Sequence, residues 1–268
     1  MLGALIGDIA GSRFEWHNQK SKDFTLFHET CHFTDDSVMT LAVAQALLEC
    51  GENFTGLEQR VIATMQAWGR AYPHVGYGDR FQHWLLQEQP QPYNSYGNGS
   101  AMRVSGCGWA GKSLEQVKRL AAQVTRVTHN HTEGLKGAEA TAVAIYLART
   151  GSSKEEIRSY VEKHYYVLDF TLDDIREDYS FDVSCQGSVP QALEAFLEST
   201  SFEDAIRKAI SFGGDSDTIA AIAGSVAEAY YGVPVVLREQ VLTYLDEELL
   251  QQVELFEQRF GAGRAAVE

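Results

Sequence analysis

The chain has 268 residues, 44% hydrophobic and 22% charged, a length that admits one large domain or two. No linker or low-complexity run divides it, so residues 1–268 read as one domain. Its formal charge of −15, from 37 acidic against 22 basic residues, argues against a nucleic-acid or anionic-membrane surface, which needs clustered Lys and Arg; free nucleotides stay possible where loops and metal ions neutralise their phosphates. Cys31, Cys50, Cys107 and Cys185 are widely spaced without a CxxC pair, the pattern of reduced thiols in a cytoplasmic protein, and no 18-residue apolar span offers a membrane helix.

In chain order, the start Met1-Leu2-Gly3-Ala4-Leu5-Ile6 lacks a basic flank and meets Asp8 early, so it does not read as a signal peptide. The stretch Gly7 to Glu15 reads as a loop, with Glu15 either an acid or base or a solvated surface carboxylate. Thr34-Asp35-Asp36-Ser37 then opens an alanine-rich helix through Val38, Leu41, Ala42, Gln45 and Leu48, and Leu57, Val61, Met65 and Trp68 continue the helical period. Tyr93 to Ser100 forms a loop in which Gly97 and Gly99 let the backbone approach a phosphate at a helix start, or make an ordinary Asn-Gly turn. After a helix through Leu114, Val117, Ala121 and Val124 comes Thr128-His129-Asn130-His131-Thr132-Glu133, a loop for ligand hydrogen bonding or for a helix cap at Thr132.

Helical patterns follow at Ala138 to Ala148, Ile157 to His164, Val189 to Leu197, Ala205 to Phe212, Ile219 to Tyr231 and Val235 to Leu245, with Pro190 and Pro234 near helix starts. Alternating strand patterns are scarce, which predicts an all-α, bundle-like domain. The small residues Ala220, Ala221, Ala223, Gly224 and Ala227 suit a central helix with close neighbours. Between these helices, Tyr165 to Ser184 is acidic and tyrosine-rich, with little helical period in its second half.

The second acidic cluster, Gly213-Gly214-Asp215-Ser216-Asp217-Thr218, matches the first across 180 residues. Carboxylates in a first helical turn are favoured by roughly 0.3–1 kcal/mol, so either cluster alone is an ordinary helix start. Brought together, the four aspartates and two threonines would repel unless cations or protons intervene. Oxygen donors without nearby His or Cys suit magnesium, manganese or calcium, and four carboxylates match two divalent ions. The alternating ligands and terminal Glu of an EF-hand are missing.

Taken in order, Gly7-Asp8, Glu15, Thr34-Asp35-Asp36, Gly97-Asn98-Gly99-Ser100-Ala101-Met102-Arg103, Thr128-His129 and Gly213 to Thr218 resemble the ADP-ribosylglycohydrolases related to the enzyme that reactivates dinitrogenase reductase. The resemblance spans nearly the whole chain. It implies an all-α fold with two Mg2+ or Mn2+ ions that removes ADP-ribose from a modified protein or small-molecule acceptor. It makes Thr34, Asp35, Asp36, Asp215, Asp217 and Thr218 metal ligands, gives Gly97, Asn98, Gly99, Ser100, Met102 and His129 the diphosphate and ribose, and sets Glu15 beside the scissile bond. Two positions depart from the family pattern. Ser37 keeps a hydroxyl where threonine is common, and Gly106 replaces a frequent proline, which would loosen that turn.

Within the resemblance, Tyr179 or Phe181 becomes a candidate to stack on adenine, beside a reading of that segment as a surface connection. Asp35, Asp36 and Glu15 are the carboxylates expected at the chemistry, with Asp35 or Glu15 guiding a proton from water. Two other functions stay open at this point: a non-catalytic ADP-ribose binder, and a two-metal phosphohydrolase acting on a nucleotide.

Overall fold

The structure, a computed structural model, describes residues 1–261, so residues 262–268 of the expected domain lie outside the described residues. The helices are α1 (Leu2–Gly11), α2 (Asp35–Glu49), α3 (Leu57–Ala71), α4 (Asp79–Leu85), α5 (Gly99–Met102), α6 (Ser105–Ala110), α7 (Leu114–Thr125), α8 (Thr132–Arg149), α9 (Lys154–His164), α10 (Leu172–Ile175), α11 (Cys185–Leu197), α12 (Phe202–Ile210), α13 (Ser216–Tyr231), α14 (Val235–Leu242) and α15 (Glu247–Phe260), with a 3-10 turn at Ser12–Phe14. Among the described residues there is no sheet; Gly97 and Ser184 form an isolated antiparallel bridge. The all-α expectation holds.

The core is organised around α1 and α13. Every residue of α1 is buried, as is nearly all of α13. The two run together because small residues face each other: a side chain at Gly3 would strike the Gly224 carbonyl, one at Gly7 the Ala220 carbonyl, and one at Gly11 the backbone of Asp217. Glycine costs a helix interior roughly 0.5–1 kcal/mol. Here the cost is offset by backbone-to-backbone packing that no larger residue permits.

This arrangement corrects the loop expected from Gly7 to Glu15, since its first half is helix. Its glycines, four apart, line one helical face instead of marking turns. Another correction concerns Pro190, which sits inside α11 and not near its start, because the helix begins five residues earlier at Cys185 behind a Ser184 cap. Gly106 lies in the first turn of α6, where a side chain would meet Leu47 and Phe256. Among the described residues no helix is long and apolar enough to cross a membrane.

Candidate active site

Both acidic helix starts converge at one end of a cavity of about 700 Å3. Thr34 caps α2, its hydroxyl accepting from the Asp36 amide at 3.2 Å. The same hydroxyl donates to Asp8 Oδ1 at 2.6 Å, and the Thr34 and Ser37 amides donate to Asp8 Oδ2 at 2.9 and 3.0 Å. The Ser37 hydroxyl also donates to Asp8, which shows what a hydroxyl at that position does. Asp8 thus fastens α1 to the first turn of α2. The second cluster joins through Thr218, whose Oγ1 donates to Asp36 Oδ2 at 3.1 Å across 182 residues of sequence.

Two groups of carboxylates result, each with ligand atoms within 4.8 Å of one another: Asp8, Asp36 and Asp217, and then Glu15, Asp215 and Asp217. Asp36 Oδ1 and Asp217 Oδ1 are buried without a hydrogen-bond partner. Burial raises all six acids, and repulsion from the others adds to it at Asp36, Asp217, Glu15 and Asp35. Asp36 and Asp217 rise well above the ordinary carboxylate range, Glu15 to about 7 and Asp35 to about 8, and Asp8 and Asp215 rise against the hydrogen bonds they accept. Buried acceptors left open among repelling carboxyls are what a divalent cation satisfies, and an all-oxygen donor set suits a hard ion. The residues present therefore fit a metal ion.

Asp35 stands outside both carboxylate groups. Its amide donates to the Val75 carbonyl at 2.8 Å, and its carboxylate lies near Gly76 on the cavity wall. Asp8, absent from the expected ligands, belongs to the first group. Its signal in the sequence was an acid embedded in the apolar, glycine-spaced face of α1.

The opposite end of the cavity is lined by Arg80, Phe81, Tyr93, Gly97, Asn98, Gly99, Met102, Arg103 and His129. Arg103 is buried, and its guanidinium donates to Thr128 Oγ1 at 2.6 Å; Thr128 Oγ1 in turn lies 2.7 Å from His129 Nδ1. Because Thr128 accepts from Arg103, its own proton points to His129 Nδ1, which leaves Nε2 as the protonated nitrogen, facing Gly97 and Gly99. Burial, then Arg103 and Arg80, push the His129 pKa well below the ordinary value, so the ring is neutral with Nε2–H as its free donor. Asn98 ties the two ends together, donating to Asp215 Oδ2 at 2.6 Å and Ser188 Oγ at 3.0 Å.

Some expected contacts are not made. Ser100 is buried away from the cavity, its hydroxyl donating to the Gly134 and Gly97 carbonyls at 2.9 and 3.1 Å, so it braces the loop and does not face a ligand. The Gly97 and Asn98 amides are engaged internally, with Ser95 Oγ and the Val183 carbonyl. Tyr179 does not line the cavity: its ring packs edge-on against Phe212 and beneath Gly214, and its hydroxyl donates to the Gly187 carbonyl at 2.6 Å. It is a strut under the second acidic turn. His131, not Thr132, caps α8, its Nδ1 accepting from the Glu133 amide at 3.1 Å. Of the residues lining that end of the cavity, Arg80 carried no signal in the sequence, Tyr93 stood there only as the start of the glycine loop, and Arg103 only as part of the family motif.

The sequence pattern described as ADP-ribosylglycohydrolase matches residues 1–265. The chain is similar to the ADP-ribosylhydrolase ARH3 of Homo sapiens, 26% identical over 336 residues that cover 94% of this chain and 90% of that protein. It is also similar to the ADP-ribosylarginine hydrolase Tri1 of Pseudomonas putida (strain GB-1), 29% identical over 262 residues, covering 87% of this chain and 70% of that protein. A solved structure described as an ADP-ribosylglycohydrolase-related protein complex superposes with a TM-score of 0.71 at 22% identity, covering 97% of this chain and 96% of that one, which shows a shared fold.

Proposed function

The chain belongs to the ADP-ribosylglycohydrolase family, and from that premise we propose that this cavity hydrolyses the bond between the distal ribose of ADP-ribose and a modified acceptor, a protein side chain or a small conjugate. Residues 1–268 act as one such domain. The observation that carries the reading is the opposite polarity of the unpartnered groups at the two ends. Asp36 Oδ1 and Asp217 Oδ1 are acceptors awaiting a cation, whereas Arg103 Nε is a buried donor at the other end. ADP-ribose has the matching asymmetry, with a ribose bearing vicinal hydroxyls at one end and an anionic diphosphate toward the other. The cavity volume, about 700 Å3, lies within the range of small-molecule sites.

Thr34, Asp35, Asp36, Asp215, Asp217 and Thr218, joined by Asp8, would hold two magnesium or manganese ions. When bound, such a pair supplies charge neutralisation and Lewis-acid polarisation of ribose oxygens and water. Glu15, half-buried with a pKa raised to about 7 by burial and then by Asp215, holds or releases a proton near neutrality beside the scissile bond. Asp35 is the second carboxyl placed to move a proton, and Asp36 is fixed by Thr218. Water oxygen bonds to the anomeric carbon as the bond to the acceptor breaks. One proton leaves the water and one reaches the departing acceptor, giving ADP-ribose and the restored side chain. His129, neutral, orients ribose or phosphate oxygens through Nε2, with Gly97, Gly99 and Met102 as the wall. The four free cysteines agree with a cytoplasmic site of action.

Product analysis with ADP-ribosylated arginine and serine peptides, with and without magnesium, tests this reading. Free ADP-ribose released catalytically supports it. AMP or inorganic phosphate would indicate attack at phosphorus, and intact substrate on every member of the panel would indicate a binder.

A further inference from the structure

From Glu15 onward the chain runs as a strap over the elements that carry the second acidic cluster. Lys22 pairs with Asp204 of α12 at 2.8 Å, and Lys20 Nζ donates to the carbonyls of Arg176, Tyr179 and Phe212 at 2.7, 2.8 and 2.8 Å. Arg207, also on α12, donates to the carbonyls of Lys22 and Phe24 at 3.1 and 2.6 Å. These bonds secure the far part of the strap. Asn18 secures the near part, where Glu15 stands.

Glu15 follows the 3-10 turn Ser12–Phe14 and keeps helical dihedrals, φ −51° and ψ −50°. Phe14 and Glu15 therefore end a helical run, the position at which backbone carbonyls lack an intrahelical partner. Asn18 Nδ2 donates to both, at 2.9 and 3.0 Å, and to the Gly214 carbonyl at 3.0 Å, so its two hydrogens serve three acceptors. Its Oδ1 accepts from the Gly214 amide at 2.9 Å. One carboxamide thus joins the backbone at Glu15 to the residue before Asp215.

The acidic turn is shaped to receive this group. Gly213 and Gly214 both have positive φ, 76° and 81°, and a side chain at Gly213 would meet Asn18 while one at Gly214 would meet the Tyr179 ring. The turn is gripped between the two. Glu15, Asp215 and Asp217 bring ligand atoms within 4.8 Å of one another, but they arrive by different routes. Asp215 and Asp217 belong to the buried start of α13, whereas Glu15 comes from the strap, so its distance from them depends on the join.

We propose that Asn18 is a positioning residue that sets Glu15 against Asp215. Asn18 does not line the cavity, so its effect on the reaction passes through Glu15 and leaves substrate contacts alone. A carboxyl that moves a proton needs placement to within a fraction of an ångström, and a bidentate carboxamide between two backbones supplies it. The inference rests on the role given to Glu15 in the glycosidic reading of the cavity.

The test is a double-variant cycle in single-turnover release from the ADP-ribosylated arginine and serine peptides, with the magnesium-loaded protein. Asn18→Ala is expected to slow release about 10- to 100-fold, the cost of losing a group that orients another, while KM moves by less than about twofold. On the Glu15→Gln background the same substitution should cost no more than about twofold, because the residue it serves is already gone. Lys22→Gln, which removes an ion pair from the far part of the strap, should stay within about twofold of wild type. Losses that multiply in the double variant, a KM that rises as far as the rate falls, unchanged release in Asn18→Ala, or an equal loss in Lys22→Gln would each overturn the proposal. Asn18→Gln keeps the carboxamide one methylene further out, so it should lose part of the rate, and it replaces Asn18→Ala in the cycle if that variant does not fold. If wild type releases no ADP-ribose, or Glu15→Gln matches wild type, the reading of the cavity or of Glu15 fails separately. Hydrogen exchange over residues 14–18 and 212–217 then decides the proposal: faster exchange in both segments of the Asn18 variant supports it, and unchanged exchange in either rejects it.

Discussion

At one end of the cavity Asp36 and Asp217 each keep a buried oxygen with no partner, while at the other Arg103, Thr128 and His129 pass hydrogen bonds along a relay that closes on a neutral ring. Both ends are made of the same parts, helix starts and short loops. They differ in what completes them. The acidic end is in conflict with itself until positive charge arrives, because burial raises every carboxyl there and repulsion adds to it at Asp36, Asp217, Glu15 and Asp35. The opposite end is already satisfied apart from one guanidinium N–H, so it can wait for a ligand without strain. On the proposed reading, chemistry is thereby separated from recognition along a single cavity.

Disturbing the acidic end should produce the largest effect. Asp217→Asn keeps the shape and removes one repelling charge, so metal affinity and turnover should fall by more than the about 10- to 100-fold that loss of an outer-shell partner costs. The melting temperature of the chelated protein should hold or rise. Isothermal titration with magnesium beside thermal melts in chelator reads both, and a wild-type metal affinity would remove Asp217 from the ligands. Without cations, the raised acids also make stability depend on pH. Their folded pKa values, about 7 for Glu15 and about 8 for Asp35, lie above the ordinary 4.5 and 3.8, so their contribution is fully present below those ordinary values and is lost as pH rises through about 7 to 8. Melts in chelator should fall between about pH 5 and about pH 9, and magnesium should flatten the slope. A flat profile in chelator would mean that the carboxyls do not repel.

A smaller effect is expected where the two ends meet the reacting bond. Glu15→Gln should slow single-turnover release by about 10²-fold or more while ADP-ribose affinity changes little. His129→Ala should show the reverse split, weakening ADP-ribose about tenfold, as loss of one hydrogen bond in a dry site does, with a milder change in rate. Parallel losses of affinity and rate in both variants would dissolve the separation between chemistry and recognition. The smallest effect belongs to Tyr179→Phe, which should lower stability by about 1 kcal/mol through the lost bond to Gly187 and leave ADP-ribose affinity unchanged. A marked loss of affinity there would return Tyr179 to the nucleotide.

The parts legible in the sequence were those written in local signals. The Thr-Asp-Asp and Gly-Asp-Ser-Asp-Thr starts announced two helices, and their apolar periods carried the fold class. Glu15, Asn98 and His129 stood in loops whose local reading left a surface carboxylate, an Asn-Gly turn or a helix cap equally open, and they were given definite roles only through the resemblance to the family's ordered motifs. Asp8 was not legible as part of the carboxylate cluster, because its helix is spaced by glycines whose use appears only when α13 lies against them. Ser100 and Tyr179 misled for a related reason. A hydroxyl in a glycine loop and an aromatic in an acidic segment look the same in sequence whether they turn toward a ligand or inward to a carbonyl, and here both turn inward. The cap at His131 was missed because imidazole is a less usual cap than threonine.

The glycine face between α1 and α13 acts as a ruler. Because Gly7 and Gly11 meet the backbone of Ala220 and Asp217 with no side chain between them, the separation of the backbones that carry Asp8 and Asp217 is set by main-chain contact. Side chains can relax around an ion, whereas two abutting backbones cannot. Were an ion held between them, a spacing fixed in this way would weigh on its radius, since magnesium and calcium differ by a few tenths of an ångström in their bonds to oxygen. A methyl group at Gly7 would pry the helices apart and carry Asp8 away from Asp217, so that a residue with no side chain sets how closely the backbones bearing these two carboxylates approach.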